Sequence, residues 1–465
     1  MIAIVVSRAD SASEHVGERL LTLDEWTERH DDGRADADGG GTYYRTEGFS
    51  LRTFDDLHVR LDRPAAAFDD PDYLVFASRH SGETGALLTA HFTGNFGPAE
   101  FGGDDGAFAR ACPNAQSAVV DALAEHAPAG YDVGIECTHH GPTDEGVPSM
   151  FVELGSDEAQ WADAEAARAV ARAILDLKGV PPTGDRRLAG FGGGHYAPRF
   201  TRIVRETDWG VGHVAADWCL DAMGRPESNR DVLERALVAS DADYALVEGS
   251  KPALESVLDD LGCRVVGETW VRETDGVPLA FVEAVEADLS PVDEGLRFGD
   301  AARRAVGGDE VADDADADAG ASADGVAVDP ESYVVVSLPD ALLSEAVGID
   351  ADAARAAVRT HALAFETTEG ATRPVGRAAV PESSNRESLL DALADVLREK
   401  YDSVARTDGE LVARQMGFDP EKARALGVPE GPAFGRLAAG EAVDVDGERI
   451  PPEAVESERV ARFSV

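Results

Sequence analysis

YDVGIECTHHGPT, residues 131–143, decides how the first part of this chain is read. A short apolar run, with a strand expected at Val133–Cys137, passes straight into a loop that gathers Glu136, His139 and His140. In a regular strand the two adjacent histidines would face opposite sides of a sheet, whereas leaving the strand at Thr138 lets the loop aim either one inward. Similar short runs recur at Ile2–Val6, Tyr73–Ala77, Met150–Leu154, Tyr244–Val247 and Leu279–Val285, with helical stretches between them. That alternation predicts an α/β fold for residues 1–290. The clearest helix is expected from Asp157 to Leu177, with Ser156 as N-cap and Trp161, Ala164, Ala167, Val170, Ala171, Ile174 and Leu175 on a 3.6-residue period.

At 465 residues the chain is too long for one ordinary core. The segment GGDEVADDADADAGASADGVA, residues 307–327, is acidic, low in complexity and poor in apolar residues. It reads as part of a linker over 291–330, leaving 331–465 as an α+β domain that starts near Tyr333 and has a helical run at Glu387–Lys400. No apolar run approaches the roughly 20 residues of a membrane span, and the first residues lack the pattern of an export signal, so a cytoplasmic protein is expected. The four cysteines, Cys112, Cys137, Cys219 and Cys263, form no C-x-x-C pair and read as buried thiols.

The formal net charge is -47, from 89 acidic and 42 basic residues, and lysine occurs only at 178, 251, 400 and 422. Such a surface suits molar salt, where the Debye length falls to about 3 Å and self-repulsion is screened. The charge therefore does not exclude a nucleic-acid partner. It means that binding has to rest on short-range contacts.

Seven of the eleven histidines fall between residues 80 and 213. In SRHSGETGALLTAHFTGN, residues 78–95, His80, His91 and Asn95 belong to a polar group around an apolar run, which fits a site or a polar surface loop equally. In 136–143, Glu136, His139 and His140 are donors of the kind zinc takes, though their spacing matches no short zinc consensus and satisfied structural histidines fit too. In GFGGGHYAPRFTRIVR, residues 190–205, Gly192, Gly193 and Gly194 leave backbone N–H groups approachable, with His195 and Arg199 close behind. Asp185 is the only acid from 185 to 205, so a phosphate-facing role is favoured there over a plain turn. No G-x-S-x-G elbow, P-loop or Rossmann fingerprint occurs, which argues against an α/β-hydrolase, an NTPase and a dinucleotide enzyme. Hydrolysis by an activated water remains.

Taken together, SRHS with LTAHFTGN, ECTHHGPT, PSMFVELGS, GFGGGHYAPRFT and WGVGH (209–213) resemble the archaeal-type D-aminoacyl-tRNA deacylases over residues 1 to about 290. The resemblance implies a peptidyl-tRNA-hydrolase-like mixed sheet flanked by helices, two zinc ions per subunit, a monomer, and D-aminoacyl-tRNA as substrate. Carried to this chain, it makes Glu136, His139 and His140 candidate metal ligands and His80, His91 and His195 candidate catalytic groups. Gly192–Gly194, Arg199 and Asn95 become candidate substrate contacts. Cys137 stands where a small residue such as Ala is expected, and residues 330–465 exceed the compact family length. The segment 427–443, GVPEGPAFGRLAAGEAV, is similar to one near the end of metallo-β-lactamase-type tRNA-processing nucleases, but their H-x-H-x-D-H motif is absent, so a turn-rich packing role is favoured over a tRNA-side one. A peptidyl-tRNA esterase and a non-catalytic tRNA-binding protein are the competing readings.

Overall fold

The computed structural model describes residues 1–304, 333–381, 386–407 and 409–465. It divides into two compact units, Met1–Arg272 and Glu273–Val465.

The first unit is built on two sheets. Strands β1 (Ile2–Ser7), β2 (Thr27–Asp31), β3 (Gly41–Thr46), β4 (Phe49–Phe54), β5 (Tyr73–Arg79), β6 (Leu87–His91), β7 (Asp132–Ile135) and β8 (Ser149–Gly155) form an eight-stranded sheet in the order β2-β3-β4-β1-β5-β8-β6-β7. Strands β9 (Arg187–Phe191), β10 (Gly210–Ala215), β11 (Tyr244–Val247) and β12 (Arg264–Val266) form a parallel sheet in the order β10-β9-β11-β12. The central strands β1 and β8 are buried along their whole length, as expected of strands covered on both faces. Their near-continuous apolar runs, IAIVVS and SMFVELG, are what made them visible in the sequence. The expected mixed α/β sheet flanked by helices is thus present.

Register places the site. In the large sheet β5 runs parallel to β8, β6 antiparallel to it, and β7 parallel to β6. His91 lies opposite Phe151, and Thr89 opposite Glu153. Residues i and i+2 of a strand share a face, so His91, Thr89, Phe151 and Glu153 all lie on one face of the sheet. Ala90 pairs with Ile135 at the end of β7, which delivers Glu136 to the edge of this group.

Three local readings change. The helix expected over 157–177 is two helices, Glu158–Trp161 and Ala164–Leu175. Asp157, not Ser156, caps the first in a capping box with Gln160, and Asp163 caps the second by accepting from Glu165 N and Ala166 N. A second Asp able to take the free N–H groups restarts the helix. Leu279–Val285, expected as a strand, lies within the helix Leu279–Asp288, where Phe281, Val282 and Val285 are buried on one helical face. Strand β7 also ends two residues before the expected Cys137.

The second unit contains that helix and an antiparallel sheet of β13 (Leu296–Phe298), β14 (Tyr333–Ser337), β15 (Ala364–Thr368) and β16 (Arg373–Pro381), in the order β13-β15-β16-β14. Leu342, Leu343, Val358, Leu390 and Leu393 pack in its core. The run expected at Glu387–Lys400 is the helix Arg386–Leu397. Within 427–443, Val428, Leu437 and Val443 join a small apolar cluster with Ile450 and Val455, the packing role favoured from sequence. Residues 291–304, placed in the linker, carry a 3-10 turn, β13 and the short helix Asp300–Arg304. The acidic segment 307–327 lies outside the described residues.

Candidate active site

A cavity of about 920 Å³ opens in the first unit, and His80, His139, His140, Glu153, His195 and Tyr196 are among the residues that line it. At its base Glu136, whose side chain is fully buried, is the hub. Its Oε2 accepts from His195 Nε2 at 2.8 Å, its Oε1 lies 3.1 Å from His80 Nδ1, and Thr89 Oγ1 donates to Oε1. Glu153, buried on β8, lies 3.6 Å from His80 Nδ1 and 3.5 Å from His91 Nε2. A buried carboxylate is costly unless paired, and here His195 and His80 do the pairing for Glu136, while His139 Nε2 lies 4.0 Å from it.

Burial alone would push the Glu136 pKa up, but the bonds from His195 and His80 outweigh it and hold the carboxyl well below its usual range. Burial opposes charge on His80, yet the hydrogen bonds to Glu136 and Glu153 win and raise its pKa to about 10. At neutral pH His80 is therefore an imidazolium between two carboxylates. Its Nε2 is 3.3 Å from the Tyr196 hydroxyl, which reaches the cavity.

The second cluster has a different character. His91, His139 and His140 pack ring to ring, with centroids 4.4–5.0 Å apart. His91 Nδ1 faces Phe92 O at 3.1 Å, His139 Nδ1 faces Cys137 O at 2.8 Å, and His140 Nδ1 faces Gly141 O at 2.6 Å. A carbonyl can only accept, so each Nδ1 carries the proton and each Nε2 keeps a lone pair for something else. His140 reaches this position with a left-handed backbone, φ 49°, which turns its ring beside that of His139 instead of away from it.

Burial holds His139 well below the ordinary imidazole pKa and lowers His140 to about 4, so both are neutral. His91 is raised by Glu153 against the effect of burial. That contact is nevertheless too loose for a hydrogen bond: His91 Nε2 is buried with no hydrogen-bond partner among the described residues. A nitrogen in this position suits a cation.

Potential ligand atoms of three triads lie within 4.8 Å of one another: His91, His139 and His140; His80, Glu136 and Glu153; and Cys137, His139 and His195. Neutral imidazoles whose far N–H is fixed by a carbonyl are the form in which histidine binds metal. The residues fit a metal ion.

The structure therefore brings together all six residues proposed from sequence for the metal and catalytic centre. Asn95 also lines the cavity, but its Nδ2 donates to Gly102 O and Asp104 O, so it holds a loop. Gly192–Gly194 and Arg199 are not among the lining residues. A Cβ on Gly193 would meet the Glu248 carboxylate at 2.6 Å, and Arg199 is paired to Glu268 at 3.0 Å. Arg186, Arg187 and Arg202 of the same basic stretch are likewise paired, to Asp208, Asp241 and Glu268. His213 is structural: buried and away from the cavity, it bonds Thr138 Oγ1 and Ala109 O.

Sequence reasoning passed over Glu153 and Tyr196. Glu153 had a signal, as an acid inside an apolar strand that must be covered on both faces. Tyr196 had none beyond its place after His195. Cys137 is more than a tolerated departure, since its Sγ lies 3.5 Å from His195 Nδ1.

The sequence profile of the family described as D-aminoacyl-tRNA deacylase matches residues 67–266, which span the site from β5 onward. A protein of Halorubrum lacusprofundi named D-aminoacyl-tRNA deacylase is 55% identical, with 100% of this chain and 97% of that protein covered. The chain belongs to the D-aminoacyl-tRNA deacylase family. Other proteins of that name, from Natronomonas pharaonis and Methanococcoides burtonii, are 53% and 31% identical over 100% and 98% of this chain, and over 100% and 94% of their own lengths. The C-terminal part that seemed to exceed the family length is thus shared by these family members. A solved crystal structure of a conserved protein of unknown function is 29% identical with TM-score 0.53, covering 59% of this chain and 98% of that one.

Proposed function

We propose that this protein hydrolyses the ester bond of D-aminoacyl-tRNA, releasing the D-amino acid and free tRNA. The observation that carries the reading is the convergence of Glu136, Glu153 and five histidines, of which Glu153, His80, His139, His140 and His195 line one cavity, in a chain of this family. The working unit in this reading is a monomer, as the family resemblance implies, in the cytoplasm where aminoacyl-tRNA is made and used.

His91, His139 and His140 would hold one zinc ion, and His80, Glu136 and Glu153 a second. Each triad then uses its own residues, whereas the Cys137 triad would have to share His139 with the first. Zinc supplies a Lewis acid that polarises the ester carbonyl and makes water acidic enough to attack near neutral pH. The chain's own groups do the rest. Glu136 fixes the ring of His195 at the cavity wall, keeping Nε2–H on the carboxylate. His80 Nε2–H holds the Tyr196 hydroxyl at 3.3 Å, leaving that hydroxyl free to donate its proton toward the cavity, where the departing ribose oxygen needs one.

His140→Ala should lose the zinc of the first triad and nearly all turnover while the protein still unfolds cooperatively. Metal content by mass spectrometry and deacylation of D-tyrosyl-tRNA check this together. Full activity in that variant would remove the triad from the mechanism.

A further inference from the structure

The rim of the cavity carries two large aromatic side chains held out in water. Phe101 is 70% exposed and Trp218 49% exposed, and both line the cavity. Among the described residues of the first unit, the exposed large hydrophobic side chains are Phe101, Tyr196, Trp218 and Val238, and three of these four belong to this one opening. Tyr196 is engaged with His80. Phe101 and Trp218 have no such assignment.

Neither ring is exposed because its backbone is loose. Phe101 O accepts from Gly141 N at 3.0 Å, and the next carbonyl, Gly102 O, accepts from Asn95 Nδ2 at 3.0 Å. Gly102 itself has φ +86°, and a Cβ there would lie 2.1 Å from Val59 O, so the loop is pressed against its neighbour. Trp218 follows Asp217, whose N–H donates to Gly193 O at 2.9 Å and whose Oδ1 pairs with Lys251 at 2.7 Å. The indole lies nearly parallel to the His195 ring, at 22° with centroids 6.3 Å apart. The Gly192–Gly194 loop thus contributes by fixing the tryptophan.

Arg60 also lines the cavity and is exposed, and among the described residues its guanidinium forms no ion pair or hydrogen bond. In a chain of net charge -47 a free cation at this opening is notable.

We infer that Phe101 and Trp218 form a stacking platform for the nucleobases of the single-stranded 3′ end of tRNA, with Arg60 contacting its phosphate. This rests on the deacylase reading above. The ester is carried on the terminal ribose, so when it reaches the base of the cavity the adjoining nucleotides must cross the rim. Aromatic faces bind successive bases without regard to sequence, which suits an enzyme that has to accept many tRNAs. Molar salt removes most long-range attraction between cations and phosphate but leaves stacking largely intact, so a very acidic protein gains more from two rings than from a basic patch.

The test measures KM for D-tyrosyl-tRNA and D-aspartyl-tRNA, and the affinity for the trinucleotide CCA, all in molar KCl. Trp218→Ala and Phe101→Ala should each raise KM for both substrates and weaken trinucleotide binding by about tenfold. Trp218→Phe should recover most of the loss, and Val238→Ala, equally exposed but away from the cavity, should match the parent protein. Arg60→Gln should raise KM and flatten the salt dependence of binding. Unchanged KM and trinucleotide affinity in both alanine variants would overturn the inference. So would an effect confined to D-tyrosyl-tRNA, which would make the rings a pocket for the amino-acid side chain. Failure of the parent protein to cleave either substrate would instead strike the deacylase reading, a result separable from the behaviour of the variants toward CCA.

Discussion

Replacing His213 by Gln should reverse the order of stability between variant and parent as the pH falls. His213 is fully buried, and its Nε2–H must be the donor to Ala109 O at 2.8 Å because a carbonyl can only accept. Its Nδ1 then accepts from Thr138 Oγ1 at 2.9 Å, while that oxygen accepts from Val214 N at 3.1 Å. The ring is neutral and satisfied, and burial lowers its pKa from 6.5 to about 4. Between those values the unfolded chain binds a proton that the folded chain does not, so stability is complete above pH 6.5 and falls as the pH drops toward 4. The loss is about 3 kcal/mol, at 1.36 kcal/mol per pH unit. Glutamine does not titrate and can imitate one or both bonds. At pH 7 its poorer fit against Phe92 and Phe108 should cost about 1–2 kcal/mol. Below pH 5 the parent has lost more than that, and the two curves should cross. Urea unfolding followed by tryptophan fluorescence, in constant molar KCl from pH 7.5 to 4, reads the difference directly. Parallel curves would refute the assignment of His213 as a buried neutral histidine.

Glu145 offers the opposite slope: burial raises its pKa to about 8, with Thr93 Oγ1 at 3.3 Å as a weak partner, so stability is complete below pH 4.5 and declines toward pH 8. Glu145→Gln should stabilise the protein above pH 7 by up to roughly 4 kcal/mol, read as a higher urea midpoint at pH 8 but not at pH 5. Glu136→Gln removes the charge that pairs His80 and His195, and in chelator-treated protein at pH 6 it should cost about 3 kcal/mol, with hydrolysis falling at least about a hundredfold in the zinc-loaded form. Glu153→Gln should reduce metal content as well as turnover, and normal zinc in that variant would exclude it from the second ion's ligands.

Much of this was legible because burial writes itself into the chain. Strands β1, β5 and β8 are covered on both faces, so IAIVV, YLVFA and MFVEL read as strands without any partner being known. The loop after β7 was legible for another reason, since two adjacent histidines and a glutamate after an apolar run are an expensive combination unless something uses them. Leu279–Val285 misled because Phe281, Val282 and Val285 suit a strand by type, while their one-and-four spacing is helical. The break at Asp163 needed weight given to its capping chemistry over the apolar period running through it.

Pairings at long range stayed hidden. Glu153 meets His80 because β5 runs parallel to β8, and His91 because β6 runs antiparallel to it, and nothing local to these strands states either register. Arg199 read as a phosphate contact because Glu268, its partner, stands 69 residues away. The glycines at 192–194 read as a phosphate-facing loop with open backbone N–H groups, whereas their neighbours in the fold are Glu248 and the start of the Trp218 helix.

Ester hydrolysis of D-aminoacyl-tRNA with zinc in the histidine cluster stands or falls on one experiment: deacylation of D-tyrosyl-tRNA beside L-tyrosyl-tRNA in molar KCl, before and after chelation and again after zinc is restored. The D ester alone should be cleaved, with activity lost on chelation and regained with zinc. Equal cleavage of the two esters, or cleavage of neither, would rule this function out.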